Sequence, residues 1–346
     1  MKFSFVVPVH GVDDYLNKCI SSILNISKYE LECIVVCDGA SEYCINLCME
    51  FRKKDSRVKV IVQNNQGVSV ARNVGIAAAK GDWLIFCDGD DYVDSRILEK
   101  VDEYIRSSDV DIVVFDYYCL YDGKKEVENM LTTGRKIFEG EEKECLFISA
   151  VTPIYYGLKN HANVGVPWAK AYKTEFIKKN GISFEPILRR KQDMVFNLNA
   201  FVNAGKIGYF DVPLYYYCVH NGSAVNRYYS DYEVLAMAIL DSIHKIDGLK
   251  EYACYKDVYY ARTIGELIDC FNLQIMHKDN KKSIGYKLKE IKRVSQIKIF
   301  SEAIQICNDK YLSNTQKLGL MLLRKRWYLV LVLALQFKAT VKRGRK

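Results

Sequence analysis

Several hallmarks of other protein classes are missing from this chain of 346 residues. It has no CxxC pair with zinc-finger spacing, no GxGxxG fingerprint, no internal repeat and no low-complexity tract. The N-terminus lacks a charged start that leads into a long apolar stretch, so we expect no secretory signal peptide. The apolar run near the C-terminus is shorter than the ~20 residues that a membrane-spanning helix needs. These absences disfavour a zinc-finger protein and a secreted protein, and they leave dinucleotide binding without support.

The composition is that of a globular protein with a sizeable core, with 49% apolar and 27% charged residues. The formal net charge of +8 favours an acidic partner such as nucleic acid, anionic lipid or a phosphate-bearing substrate. Most of the 12 cysteines lie inside apolar runs, as Cys33 and Cys37 do, which is typical of small buried side chains in a reducing compartment. We therefore expect a cytoplasmic protein.

Apolar runs alternate with helical patterns in the first third of the chain. Strands are predicted over 3–9, 31–37, 58–62, 83–87 and 111–117, and helices over 15–24, 41–54, 68–80 and 97–105. Asp94 or Ser95 is the predicted cap of the last of these helices. This pattern predicts an α/β fold with a mostly parallel sheet, in which ligands bind at the carboxyl ends of the strands. Another helix is predicted over 192–202, and the last third, from about residue 231, is predicted to be mostly helical.

Acidic turns follow two of the predicted strands. The second strand ends in Asp38 and Gly39, and the fourth ends in Asp88-Gly89-Asp90-Asp91. Carboxylate oxygens suit Mg²⁺ or Mn²⁺, ions that also hold substrate phosphates. The alternative is a solvated turn, because Asp and Gly are common turn residues.

A glycine-led helix start lies between these turns, in the sequence GVSVARNVG that begins at Gly67. Its backbone N–H groups are free to bind an anion, and Arg72 could pair with a phosphate or with a base carbonyl. The alternative is an ordinary loop into a helix that carries a surface arginine.

Together these motifs resemble the family 2 glycosyltransferases with the GT-A fold, of the kind acting in bacterial surface polysaccharide synthesis. The matching segments are FSFVVPVHGVDDYLNKCISSIL, CDGAS, GVSVARNVG and FCDGDD, in the order and spacing of that family. The resemblance is strong over residues 1–115, weaker to about 225 and absent beyond. This sequence departs from the family where Cys37 replaces an aspartate and where His10-Gly11 replaces Tyr-Asn.

The resemblance implies a nucleotide-sugar site and a metal site. The implied donor residues are Pro8, Val9, His10, Asp38, Arg72, Asp88 and Gly89. Among them, Asp38 would accept a hydrogen bond from a uracil-type base. Asp90, with Asp88, would ligate a Mn²⁺ or Mg²⁺ ion that bridges the diphosphate. His220 is a further metal candidate, although a lone loop histidine is more often a surface residue.

The second half supplies the catalytic candidate. The family has a Trp-x-Lys element and then a Glu-Asp pair ahead of a helix, and here Trp168 and Lys170 are followed by Gln192-Asp193. The resemblance implies that Asp193 is the general base and that the other three residues lie on the acceptor side. The alternative for Asp193 is an acid at a helix start, stabilised by the helix dipole.

Three regions are expected: a donor half over 1–115, an acceptor half with the base over 116–230, and a helical extension over 231–346. Near the C-terminus, the apolar run over 327–335 is flanked by basic residues, which favours a membrane surface. The alternative is a helix packed on the protein body with a solvated basic end. The run lacks the aromatic interleaving of a nucleic-acid patch, so no nucleic-acid partner is expected.

The resemblance implies an inverting, metal-dependent glycosyltransferase, and the C-terminal segment favours a place on the inner face of the cell membrane. The enzyme would use a nucleotide-sugar, with UDP preferred, and a saccharide or lipid-linked acceptor. A nucleotidyltransferase is one alternative, although no arginine-bearing loop follows strand one. A non-catalytic nucleotide-sugar-binding protein is the other, because Gln192 replaces a glutamate. The sequence carries no signal for the oligomeric state.

Overall fold

The structure is a computed structural model that describes residues 1–131, 136–152, 164–219 and 227–344, with side chains up to residue 336. The chain divides into two compact units. The first contains the described residues up to 150 together with 164–219, and the second contains 151–152 and 227–344. The predicted division of the first unit into a donor half and an acceptor half concerns ligands, and it stays a prediction.

A ten-stranded sheet forms the centre of the first unit. Its strands are Lys2–Val9 (β1), Glu30–Asp38 (β2), Val58–Gln63 (β3), Trp83–Phe86 (β4), Tyr92–Val93 (β5), Ile112–Tyr121 (β6), Lys124–Glu128 (β7), Ile137–Glu139 (β8), Lys170–Lys173 (β9) and Lys206–Cys218 (β10). The strand order is β3-β2-β1-β4-β9-β6-β10-β5, with β7 on β6 and β8 on β10. Strands β1–β4 are parallel neighbours, and β6 and β10 run in the same direction. The four remaining strands are antiparallel to these, so the mostly parallel sheet is confirmed.

Helices connect the strands of this unit. They are Leu16–Leu24 (α1), Glu42–Lys54 (α2), Val68–Ala78 (α3), Ile97–Ser107 (α4), Glu144–Val151 (α5), Thr174–Lys179 (α6) and Gln192–Asn203 (α7). Strands β1 and β2 are buried along nearly their whole length, as continuous apolar runs require. Helix α3 packs so closely on β1 that a Cβ at Gly75 would overlap Val6. The predicted strands and helices of the first third are all present, with ends moved by a few residues.

The predicted cap of α4 is wrong. The residue before the helix is Arg96, and no side chain caps the first turn. The Asp94 carboxylate instead accepts the backbone N–H of Arg96 at 2.9 Å and the Arg96 Nε at 2.8 Å. A side chain that is held by the neighbouring arginine in this way cannot reach the second or third residue of the helix, where a capping group must bind.

The second unit is helical, as expected for the last third of the chain. Its helices are Tyr232–His244 (α8), Tyr255–Cys270 (α9), Ile284–Ser295 (α10), Lys298–Ile306 (α11), Asn314–Arg324 (α12) and Tyr328–Gly344 (α13). In its core the buried Glu266 carboxylate accepts hydrogen bonds from Tyr232 Oη at 2.9 Å and pairs with Arg262 at 2.8 Å. Across the described residues, no helix has both the length and the apolarity needed to cross a bilayer.

All twelve cysteines are free thiols, and nine of them are buried. Cys37 lies within hydrogen-bonding distance of Cys48, with 3.9 Å between the Sγ atoms. The prediction of buried, unpaired cysteines is therefore confirmed for most of them.

Candidate functional site

The predicted motifs meet at the carboxyl end of the parallel strands. Val9 at the end of β1 is paired with Cys37 of β2, and the backbone N–H of Cys87, just after β4, bonds Val6 of β1 at 3.0 Å. The turns that follow β1, β2 and β4 therefore lie side by side. This is the edge at which α/β sheets bind their ligands.

Asp38 organises the loop that leads into α3. Its carboxylate accepts hydrogen bonds from Gln63 Nε2 at 2.8 Å and from the backbone N–H groups of Gln66 at 2.7 Å and Gly67 at 2.8 Å. The residue is only 3% exposed. Both carboxylate oxygens thus hold the chain itself, and the role of Asp38 as a base contact stays a prediction.

Arg72 joins the two halves of the site. Its side chain is 3% exposed, with Nη2 2.7 Å from Asp88 Oδ1 and Nη1 2.6 Å from Asp193 Oδ1. The guanidinium carbon also lies 5.2 Å from the centre of the Phe184 ring. Because a guanidinium is a rigid fork, one arginine can bind two carboxylates at once. Those carboxylates are about a quarter exposed, so their outer sides are open to a ligand.

Opposing effects set the proton affinity of Asp193. Burial raises its pKa and the charge of Asp88 adds to this, while Arg72 and Lys170 lower it, and the net direction is upward. Lys170 is fully buried, and its Nζ donates to the Val166 carbonyl at 2.7 Å. Burial lowers the pKa of Lys170 to about 7, although Asp193 opposes this effect. A carboxylate with raised proton affinity, held in one orientation, has the properties of a general base.

The acidic turn after β4 contributes two carboxylates to this edge instead of three. Asp91 is buried, where it accepts Tyr215 Oη at 2.6 Å and the backbone N–H of Cys218 at 2.8 Å. Burial, with the charges of Asp90 and Asp88, raises the pKa of Asp91 well above its usual range. The Asp91 carboxylate is therefore bound within the protein by Tyr215 and Cys218 of β10.

Asp88 and Asp90 are the two described residues of the predicted metal site, and their role as ligands stays a prediction. The described part of the chain contains no group of three or more His, Cys, Asp or Glu side chains placed to bind one. Two carboxylates nevertheless fit Mg²⁺ or Mn²⁺, which commonly bind one or two carboxylates and take substrate phosphates and water as their other ligands. His220, the third predicted ligand, lies outside the described residues.

Trp168 lies beneath the site. It is 3% exposed and stacks on Tyr215 with a 4.8 Å separation and on Tyr217 with a 5.1 Å separation between ring centres. The predicted acceptor-side tryptophan therefore supports the aromatic residues of β10, and Tyr217 is the partly exposed member of this stack.

Comparison with known proteins assigns a family to part of the chain. Residues 4–157 match the family model described as Glycosyl transferase family 2. The uncharacterized glycosyltransferase EpsJ of Bacillus subtilis is 31% identical over 215 residues, which make up 62% of this chain and 60% of EpsJ. The match places a family 2 glycosyltransferase domain at residues 4–157 of this chain.

Another relative of this chain has a solved structure. The poly(ribitol-phosphate) beta-N-acetylglucosaminyltransferase TarS of Staphylococcus aureus is 25% identical over 294 residues, which cover 81% of this chain and 47% of TarS. The crystal structure of TarS 1-349 in complex with UDP-GlcNAc superposes with a TM-score of 0.67 at 20% identity, covering 99% of this chain and 92% of that one. The GT-A fold is thereby confirmed. This chain spans less than two thirds of the length of EpsJ and of TarS.

The remaining predicted residues take varied positions in the structure. Pro8 and Val9 are buried in β1, whereas His10 is exposed and its Nδ1 lies 2.9 Å from the Asp38 carbonyl oxygen. A Cβ at Gly89 would lie 3.2 Å from the Pro8 carbonyl oxygen, so the turn packs tightly on β1. Within the described part of the chain, the buried Oε1 of Gln192 has no hydrogen-bond partner. The functional roles of these residues stay predictions.

Sequence patterns predicted no role for two asparagines that lie at the site. Asn73, next to Arg72 in α3, exchanges two 2.8 Å hydrogen bonds with the backbone of Phe184. Asn197, one helical turn after Asp193, is fully buried and accepts Tyr172 Oη at 2.7 Å. The four-residue spacing placed Asn197 on the same face of α7 as the candidate base, and this is the signal that could have found it.

Proposed function

We propose that this chain is an inverting, metal-dependent glycosyltransferase that moves a sugar from a UDP-sugar to an acceptor hydroxyl. The observation that carries the proposal is the Arg72 fork, which ties Asp88 at the donor edge to Asp193 at the start of α7. The complex of TarS with UDP-GlcNAc supports a UDP-sugar as donor for a chain of the same fold.

Asp193 acts as the general base in this proposal. As the acceptor oxygen attacks the anomeric carbon, its proton passes to the Asp193 carboxylate, the bond from that carbon to the diphosphate oxygen breaks, and UDP departs. Attack opposite to the leaving group inverts the configuration at the anomeric carbon. Arg72 keeps the carboxylate oriented, because its Nη1 fixes one oxygen and leaves the partly exposed side of the group for the acceptor.

Asp90 and Asp88 would hold Mn²⁺ or Mg²⁺, which would supply positive charge to the departing diphosphate. The start of α3 lies at the same edge, where a helix N-terminus favours an anion. Asp38 keeps the loop into that helix in place through its bonds to Gln66 and Gly67.

The acceptor that we propose is a saccharide or a lipid-linked saccharide in the synthesis of a cell-surface polysaccharide. TarS, a poly(ribitol-phosphate) beta-N-acetylglucosaminyltransferase, is the relative that supports a polymeric acceptor. We place the enzyme on the cytoplasmic face of the cell membrane as a peripheral protein, on the basis of the apolar and basic C-terminal segment.

The test is a release assay for UDP with a panel of UDP-sugars and saccharide acceptors in the presence of Mn²⁺. Asp193→Asn is expected to lose about 10²- to 10⁴-fold in transfer rate, the usual contribution of a general base. UDP should still raise the melting temperature of this variant, because a ligand that binds the native state stabilises it.

The matched control is Glu175→Gln, since Glu175 is an exposed acid in the first turn of α6. It is expected to leave the transfer rate unchanged. Full transfer activity in Asp193→Asn would show that Asp193 is not the general base. Release of pyrophosphate from a nucleoside triphosphate would instead favour a nucleotidyltransferase.

A further inference from the structure

Helix α13 exposes large apolar side chains on one side. Trp327 at its start is 52% exposed, and Leu329, Val330 and Leu333 are 57%, 48% and 54% exposed. These four residues are called the α13 face below. Trp327, Leu329 and Val330 also line an open groove of about 470 Å³ together with Leu288 and Lys292 of α10. Contiguous exposed apolar surface of this kind marks an interaction site more often than chance exposure.

The opposite side of α13 is packed within the second unit. Leu331 is 4% exposed and Val332 is fully buried, and the helix contacts α10 and α12. The helix is therefore held in place by one side while its other side stays outside the core. Internal packing therefore accounts for the apolar residues on the buried side of α13. It does not account for the apolar residues on the exposed side.

The charge of the C-terminal segment that contains the α13 face is of one sign. Residues 310–346 contain ten lysines and arginines and no aspartate or glutamate. Arg326 is exposed and lines the groove beside Lys292, and Lys325 Nζ lies 4.9 Å from the Trp327 ring centre. An apolar strip with a tryptophan at its start and cations around it is complementary to the acyl chains and acidic headgroups of a lipid surface.

A second copy of the chain is a less suitable partner. Two such faces would bring their cations together with no acidic residue of the same segment to offset them, which is unfavourable in a symmetric dimer. A membrane-spanning role is not supported either, since no helix among the described residues has the properties of a bilayer span.

We propose that the α13 face docks in the plane of an anionic bilayer surface. Trp327, Leu329, Val330 and Leu333 enter the boundary between headgroups and acyl chains, and Arg326 and Lys292 contact lipid phosphates. The inference rests on the membrane location proposed above and assigns it to particular side chains. Binding to vesicles is measured without any transfer reaction. A failure to bind is therefore distinguishable from a failure of the proposed transferase activity.

The experiment is flotation of the full chain with vesicles of phosphatidylcholine, alone or mixed with phosphatidylglycerol. The tryptophans give a second readout, because Trp83 and Trp168 are 4% and 3% exposed and Trp327 is the exposed one of the three. Binding to the mixed vesicles should shift the tryptophan emission to shorter wavelength and weaken in high salt. The double variant Leu329→Ser/Leu333→Ser should lose at least tenfold in vesicle partitioning.

The matched control is Val234→Ser/Met237→Ser on α8, where the replaced side chains are 57% and 36% exposed in the same unit. It should partition like the unmodified chain, and UDP should raise the melting temperature of both double variants equally. The proposal is overturned if the chain does not bind the mixed vesicles, or if it binds neutral vesicles equally well. A dimer in lipid-free solution that Leu329→Ser/Leu333→Ser dissociates would assign the face to a second copy instead.

Discussion

Replacement of Arg72 by methionine tests the central contact of the site. The methionine keeps an apolar stem of similar length but removes both hydrogen bonds, to Asp88 and to Asp193. Hydrogen bonds to charged groups contribute about 1.5–3 kcal/mol each, so two of them amount to about 3–6 kcal/mol. The lower end applies here, because both carboxylates are about a quarter exposed and water can replace part of the lost contact. We expect a loss of about 3 kcal/mol in the free energy of unfolding, a large part of the stability of a typical domain.

Activity should fall as well, because Asp193 loses the group that orients it. A misplaced catalytic group commonly costs about 10²-fold in rate, and the loss should appear in kcat. If Arg72 instead holds the nucleotide, as the sequence resemblance implies, the loss should appear mainly in the KM for the UDP-sugar. The kcat of Arg72→Lys should lie between that of the parent and that of Arg72→Met. An ammonium group has no fork, so it keeps only one of the two ion pairs.

The assays are urea unfolding followed by circular dichroism at neutral pH and steady-state release of UDP. Arg106→Met is the control, because the Arg106 side chain is 66% exposed while its partner Asp102 is 10% exposed, and water can replace much of the lost contact, so the pair should contribute at most about 1 kcal/mol. The reasoning would be refuted if the free energy of unfolding of Arg72→Met lay within about 0.5 kcal/mol of the parent value, which is the range of ordinary surface substitutions. An unchanged kcat would refute the role of Arg72 in orienting the base.

Two further predictions concern the sheet beneath the site. Burial raises the pKa of Glu32, but hydrogen bonds from Lys59 and two other donors lower it to about 2, so the ionised carboxylate stabilises the fold. Glu32→Gln should therefore lower the free energy of unfolding by about 3 kcal/mol at pH 7, as measured by urea unfolding. This difference between the variant and the parent should shrink as the pH falls from about 4.5 towards 2. A difference that does not change with pH would contradict the prediction. Gly75→Ala should lower the free energy of unfolding by about 1–3 kcal/mol or more, because the new Cβ overlaps Val6, whereas a neutral result in thermal unfolding would show that α3 can move away from β1.

Much of the fold could be predicted because its determinants are local. Strands such as β1 and β2 are continuous apolar runs, and the helices between them carry the helical period, so both are readable from neighbouring residues. The acidic turns could also be placed at one edge of the sheet, since parallel strands bring their carboxyl ends together. The two-residue strand β5 was not predicted, because a strand of that length has no periodicity.

The predicted cap of α4 failed for a tertiary reason. Asp94 is a good capping residue by type, but its carboxylate is taken by Arg96 and approached by Tyr216 Oη at 3.3 Å. The second partner is more than a hundred residues away in the sequence, and no local pattern reports it. Asp91 is a second example. An aspartate is a suitable metal ligand by residue type, but the orientation of this carboxylate is set by its hydrogen bond with Tyr215 of β10.

By itself the sequence determined the residue types of the site, the order of the longer strands and helices in the first third of the chain, and the edge of the sheet at which the candidate site residues gather. These follow from short-range periodicity and from the shared direction of parallel strands. Only the tertiary structure decided which charged groups meet. Arg72 and Asp193 are 121 residues apart, and their contact exists because α3 and α7 converge on one edge. The exposed side of α13 was likewise decided by packing, since only the folded unit shows which half of an apolar helix is left uncovered.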